Sequence, residues 1–264
     1  SPTIPFYLLP SSIAFESQIT TYILAGVSGI IVWDVLSNIT ADYYMFALAK
    51  NRYALPVYII SRYGCFSCFT LTRFLAYPVS NCKLVYLVDS FYPIATAGSC
   101  FLFFLRARAV YITHNYIVAF FALLWVSLLA TCLTVPFSTI VANIGDTPYC
   151  VVIFFKDFAT SSIITATVYD TAIFLAISYK LMSHSLTQDH GLRARILGRN
   201  LPAFSRGMLR NGQKYYLVTI LSNLTTIILA YAPINPIYRP VPTVPNVMLT
   251  NIMACYVFRK TILG

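Results

Sequence analysis

The sequence predicts an all-α protein: a multi-pass transmembrane helix bundle with seven spans, the N-terminus outside and the C-terminus in the cytosol. Three observations predict it. Of the 264 residues, 58% are hydrophobic and only 10% are charged, whereas a soluble domain carries about 25% charged residues. So few charges cannot solvate a whole surface, which leaves lipid to cover much of it. Apolar runs near the roughly 20 residues that cross a bilayer recur along the chain. Finally, Lys and Arg gather in alternate connections between those runs, as they do on the cytosolic side of membrane proteins.

The spans fall at about 17–38, 54–77, 84–107, 116–137, 157–181, 215–233 and 242–258. Before the first, Ser1–Pro10 has no basic n-region and no small-residue cleavage site follows the first apolar run, so no secretory signal peptide is expected. The first five runs are long and apolar. The sixth ends in Ala-Pro-Ile-Asn-Pro, and the seventh is about one turn shorter than is comfortable. A six-span reading, with 242–258 partly interfacial, is the alternative. No charged segment is long enough to make a soluble domain, so residues 1–264 read as one transmembrane domain.

Orientation follows from the basic residues. With the N-terminus outside, the cytosolic side holds Lys50, Arg52, Arg106, Arg108, Lys180, Arg193, Arg195, Arg199, Arg206, Arg210, Lys214, Arg259 and Lys260; the outside holds Lys83, Lys156 and Arg239. The net charge of +10 is thus explained by topology rather than by nucleic-acid binding. The Asn-x-Thr sequons at Asn38 and Asn223 fall near the cytosolic face and inside a span, so neither is expected to carry glycan. The cytosolic stretch 183–214 alternates Leu192, Ile196, Leu197, Leu201, Phe204 and Met208 with arginines. That pattern suits a helix lying among lipid headgroups, with Arg193, Arg195 and Arg199 on anionic lipid or on a cytosolic partner.

The cysteines separate by position. Cys82 and Cys150 alone fall in outside connections, where an oxidising compartment would join them in a disulfide. Cys65, Cys68, Cys100, Cys132 and Cys255 lie within spans. Cys65-x-x-Cys68 has the spacing of a redox or zinc pair, but in an apolar span without other ligands it reads as packing.

Charges inside spans are costly, and are paired or functional. Asp34 of the first span and Arg62 of the second are within reach of one another and are expected to form a structural ion pair. Arg73 and Asp89, nearer the outer boundary, either fix their helices or line a ligand cavity. Asp170, near the middle of the fifth span, has no obvious ionic partner and is the best candidate for a functional charge, bonded to a Tyr or Asn, protonated, or facing water. Asn223, Asn246 and Asn251 are candidate interhelical partners. Arg106 and Arg108 close the third span and serve as topology anchors or as contacts for a cytosolic partner. No hydrolase motif, phosphate-binding glycine loop, metal-ligand cluster or retinal-binding lysine in 242–258 is present, so no catalytic residue, metal or cofactor is expected.

Val32-Trp33-Asp34-Val35-Leu36, Ser61-Arg62-Tyr63 and Arg106-Ala107-Arg108-Ala109-Val110-Tyr111 resemble the corresponding stretches of a large family of fungal multi-span membrane proteins, abundant in mushroom-forming fungi. So do Leu209-Arg210-Asn211-Gly212-Gln213-Lys214-Tyr215-Tyr216 and Pro245-Asn246-Val247-Met248-Leu249-Thr250-Asn251-Ile252-Met253-Ala254-Cys255. The similarity runs over nearly the whole chain; where the family often has Arg, this chain has Tyr256. The resemblance implies a seven-span membrane protein without implying an activity.

The functional expectation is a receptor-like protein of the plasma membrane or an endomembrane, taking a small ligand from outside through Arg73, Asp89 and Asp170 and facing a cytosolic signalling partner. The alternative is a homo-oligomeric channel or carrier that uses the in-span charges as a pathway. Continuous polar lining would favour the channel; apolar closure of the inner half would favour the receptor.

Overall fold

The computed structural model describes residues 11–48, 54–74, 82–143, 150–155, 158, 160–188, 213–232 and 241–263. They are almost entirely helical. The helices are α1 (Ser11–Ser37), α2 (Ile39–Leu48), α3 (Ala54–Phe74), α4 (Lys83–Asp89), α5 (Phe91–Val110), α6 (Asn115–Thr134), α7 (Thr160–Gln188), α8 (Gln213–Tyr231) and α9 (Thr243–Leu263). Four stretches are long and apolar enough to cross a membrane: Ala14–Ser37, Lys83–Val110, Asn115–Phe137 and Thr160–Lys180. Tyr215–Tyr231 is a shorter apolar helix. α3 and α9 are not among these because they carry polar and charged residues that turn inward, Ser61, Arg62, Asn246, Asn251 and Arg259. The outer surface is apolar: Trp33 is 73% exposed, and Leu36, Leu123, Leu133, Leu175 and Ile228 also face outward. Such a surface fits lipid rather than water.

α5 is the central helix, packed on α3, α6, α7 and α9; around it α1 meets α3 and α9, α6 meets α7, and α8 meets both α7 and α9. The crossing of α3 and α5 is close because small residues line it. A Cβ on Gly98 would stand 2.9 Å from Ser61 Cβ, and one on Gly64 would stand 2.8 Å from Ile94 Cγ2. Without a hydrophobic drive between helices in lipid, such close backbone approach is what favours association.

Two breaks depart from simple spans. The first span continues past Ser37 into α2, with a bend at Asn38. There the carbonyl of Asp34 receives the Asn38 backbone N–H, the Asn38 amide and Arg62 Nη2, at 3.2, 2.8 and 3.0 Å. Side chains inserted into the helical ladder bend it. The third span breaks between Asp89 and Ser90, four residues before Pro93, which has no N–H to offer the Asp89 carbonyl.

The connection between α6 and α7 holds an antiparallel hairpin that the helical reading lacked. β1 (Thr139–Asn143) pairs with β2 (Cys150–Phe155), Asn143 opposite Cys150 and Thr139 opposite Phe155, with an irregularity between Ile140 and Val141. β-branched and aromatic residues on both arms, Ile140-Val141 and Val151-Val152-Ile153-Phe154-Phe155, flank a segment containing Gly145, Asp146 and Pro148. That is strand and turn chemistry. The hairpin marks one end of the bundle, called here the hairpin end.

The main core gathers Phe103, Phe104, Ala107, Tyr169, Ile173, Ile177, Tyr216, Val257 and Phe258 around α5. Phe103 and Tyr216 rings stand 4.7 Å apart, and Tyr58 stacks on Phe258 at 5.5 Å. A smaller cluster of Val27, Ile31, Cys65, Phe69, Ala95, Val247 and Met248 joins α1, α3, α5 and α9.

Candidate functional site: a buried polar column

Polar residues recur at four-residue spacing on several helices: Asp34, Asn38 and Asp42; Tyr58 and Arg62; Asn251, Cys255 and Arg259. Four residues bring a helix back to nearly the same face. The fold points these stripes at one another and joins them into a buried column with three levels.

The level farthest from the hairpin is a cluster of two aspartates and two arginines. Arg62 Nη1 lies 2.9 Å from Asp34 Oδ2, and Arg62 Nε lies 2.9 Å from Asp42 Oδ2. Arg259 stands 3.4 Å from Asp42 and 3.9 Å from Asp34. Tyr58 donates its hydroxyl proton to Asp42 Oδ1 at 2.6 Å and accepts from Arg259 Nη1 at 3.0 Å. The charges cancel, which a buried cluster requires. Arg259, assigned to the cytosolic side from sequence, is in fact buried, and so is Asp42. α2 carries Asp42 inward because the bend at Asn38 keeps it against α9.

The middle level joins three helices through Asn251. Its amide donates to the Ser61 carbonyl at 3.1 Å, to Ser61 Oγ at 3.0 Å and to Ser99 Oγ at 2.9 Å. Ser99 in turn donates to the Ala95 carbonyl at 2.6 Å.

The upper level is a cavity of about 20 Å³ between α5, α7, α8 and α9, lined in part by Thr96, Ser99, Asp170, Asn223, Asn246 and Thr250. Asp170 is 1% exposed. Asn223 Nδ2 donates to Asp170 Oδ2 at 2.7 Å, and Asn246 Nδ2 donates to Asn223 Oδ1 at 2.7 Å. Cys100 Sγ stands 4.0 Å from Asp170 Oδ1. Of the partners open to Asp170 from sequence, the structure supplies an Asn. Among the described residues no cation pairs with it.

The remaining candidates fall as follows. Asp89 ends α4, and its Oδ2 is buried without a hydrogen-bond partner among the described residues. The side chain of Arg73 lies outside the described residues, so its pairing with Asp89 does too. Arg106, half-buried, lies over the Tyr216 ring at 5.5 Å, while Arg108 is exposed. Arg193, Arg195 and Arg199 lie outside the described residues. Cys82 precedes α4, and Cys65, Cys68, Cys100, Cys132 and Cys255 are free thiols. Cys150 opens β2. Among the described residues no group of three His, Cys, Asp or Glu comes together to hold a metal.

No protein-family model matches the chain, and no curated protein matches it.

Proposed function

We propose that this chain is a seven-span, receptor-like membrane protein of the fungal family it resembles, with the hairpin end outside and residues 183–214 in the cytosol. The observation that carries the reading is closure. Beyond Asp170, away from the hairpin, the bundle is filled by Phe103, Ala107, Ile173, Ile177 and Tyr216, all buried. The polar column itself is packed and hydrogen-bonded, and its cavity of about 20 Å³ holds a water-sized group. A conducting pathway needs a wetted or openable passage, and the described residues beyond Asp170 pack against one another instead.

The same volume moves the ligand site. A pocket for a small organic molecule is about 300–1,000 Å³, so Asp170 does not contact such a ligand directly. A groove of about 470 Å³ at the hairpin end, lined by Tyr86, Ser90, Pro136, Phe137, Thr139 and Ile140, is the better place for it. Asp89 sits between Tyr86 and Ser90 in the chain, and its carboxylate, close to Thr139 of the groove, suits a ligand that brings a hydrogen-bond donor.

A disulfide at the hairpin end suits this orientation, since disulfides persist in oxidising compartments. Cys82 and Cys150, the pair the sequence places in outside connections, are the cysteines proposed to form it. Such a bond would tie the hairpin to the head of α4 beside the groove.

The reading is tested by ion flux into liposomes holding the purified protein. Sodium, potassium and proton fluxes are expected to equal those of protein-free liposomes. A flux above that level, lost in Asp170→Asn, would replace the receptor reading with a channel or carrier.

A further inference from the structure

Hydrogen-bond direction at the upper cavity has a consequence. An ionised carboxylate can only accept, so Asn223 must present its amide N–H to Asp170 and its oxygen to Asn246. Asn246 must then present its own N–H to Asn223, which leaves Asn246 Oδ1 as a bare acceptor. That oxygen is buried without a partner among the described residues, and the hydroxyl of Thr96, beside Tyr92, lines the same space. Asn246 and Thr96 are each 7% exposed, and both line the cavity with Asp170. The Asn246 oxygen and the Thr96 hydroxyl thus face the same small space as the Asp170 carboxyl group.

We propose that this cavity binds one small monovalent cation, of sodium size. Hard oxygen donors suit a hard cation: Asp170, Asn246 and Thr96 line the cavity from α7, α9 and α5. One positive charge neutralises the single carboxylate, whereas a divalent ion would leave an unbalanced charge in a low-dielectric interior. The volume, about 20 Å³, has room for one ion or water rather than a hydrated cluster. A bound cation would tie three helices around α5. The proposal does not depend on the receptor reading, because a carrier could hold the same ion.

The test is thermal unfolding of the full chain, purified in choline chloride and titrated with sodium chloride at constant ionic strength. The wild type is expected to gain about 2–4 °C in Tm at sodium concentrations roughly ten times Kd, along a saturating curve. Calcium is expected to give no larger shift. Asp170→Asn is expected to lose the sodium response while melting in choline no lower than wild type, since it removes an uncompensated charge. Thr96→Val, which keeps the side-chain shape, is expected to weaken the response at least threefold in apparent affinity. A wild-type Tm that is the same in sodium and choline would overturn the proposal even if Asp170→Asn did not fold. A larger shift with calcium would overturn the monovalent assignment.

Discussion

Arg62 lies between two carboxylates, and this position decides how the buried cluster responds to substitution. Arg62→Gln leaves Asp34 and Asp42 facing only Arg259, a net negative charge in the interior. Losing one partner of a buried pair costs about 3–5 kcal/mol. Asp34→Asn should cost less than that, because Asp34 is the most exposed member of the cluster and Asn38 remains beside it. Combining the two restores neutrality through Asp42 and Arg259, which stand 3.4 Å apart. The double variant is therefore expected to be less destabilised than Arg62→Gln alone, measured by thermal or denaturant melting in detergent. Additive losses would show that the contacts are not coupled. Asp34 and Arg62 were legible as neighbours because both are charges within apolar runs. Asp42 and Arg259 were not, because a boundary drawn from hydropathy put each just outside a span. Their signal was the four-residue stripe each shares with Asp34 or Asn251.

Packing of α3 on α5 is the contact between elements that holds the column in register. Gly98 and Gly64 have no room for a larger side chain there, whereas a Cβ on Gly26 or Gly29 meets nothing within 4 Å. Gly98→Leu is expected to lower stability by about 1–3 kcal/mol, the usual cost of overpacking. Gly26→Leu, facing outward from α1, is expected to leave the melting temperature nearly unchanged. Equal effects at the two glycines would mean that this crossing does not determine stability. At the element scale most of the helices could be read from the sequence: the expected segments 54–77, 116–137 and 215–233 overlay Ala54–Phe74, Asn115–Thr134 and Gln213–Tyr231. Apolar length is a coarse property that bilayer thickness imposes. The bend at Asn38, the break before Pro93 and the hairpin depend on single carbonyls, one missing N–H and short β-branched arms. Hydropathy averaged over a span does not see these.

For the whole molecule, the account joins a lipid-facing outside to an inside organised around polar contacts, with α5 at the centre. The column ties α1, α2, α3 and α9 at one level, α3, α5 and α9 at the next, and α7, α8 and α9 at the last. Because α9 takes part at every level, a chain lacking it would take Arg259 from Asp42, Asn251 from Ser61 and Ser99, and Asn246 from Asn223. Truncation before Thr243 is accordingly expected to abolish folded yield in size-exclusion chromatography, whereas removal of residues before Ser11 is not.

The central claim is that the chain crosses the membrane seven times with the hairpin outside. Single cysteines placed by Asp146→Cys, His114→Cys and His190→Cys, probed on intact cells with a membrane-impermeant maleimide, test it most directly. Labelling is expected at position 146 in intact cells, and at positions 114 and 190 only after the membrane is opened. Labelling of 114 or 190 from outside, or protection of 146 until permeabilisation, would contradict the account.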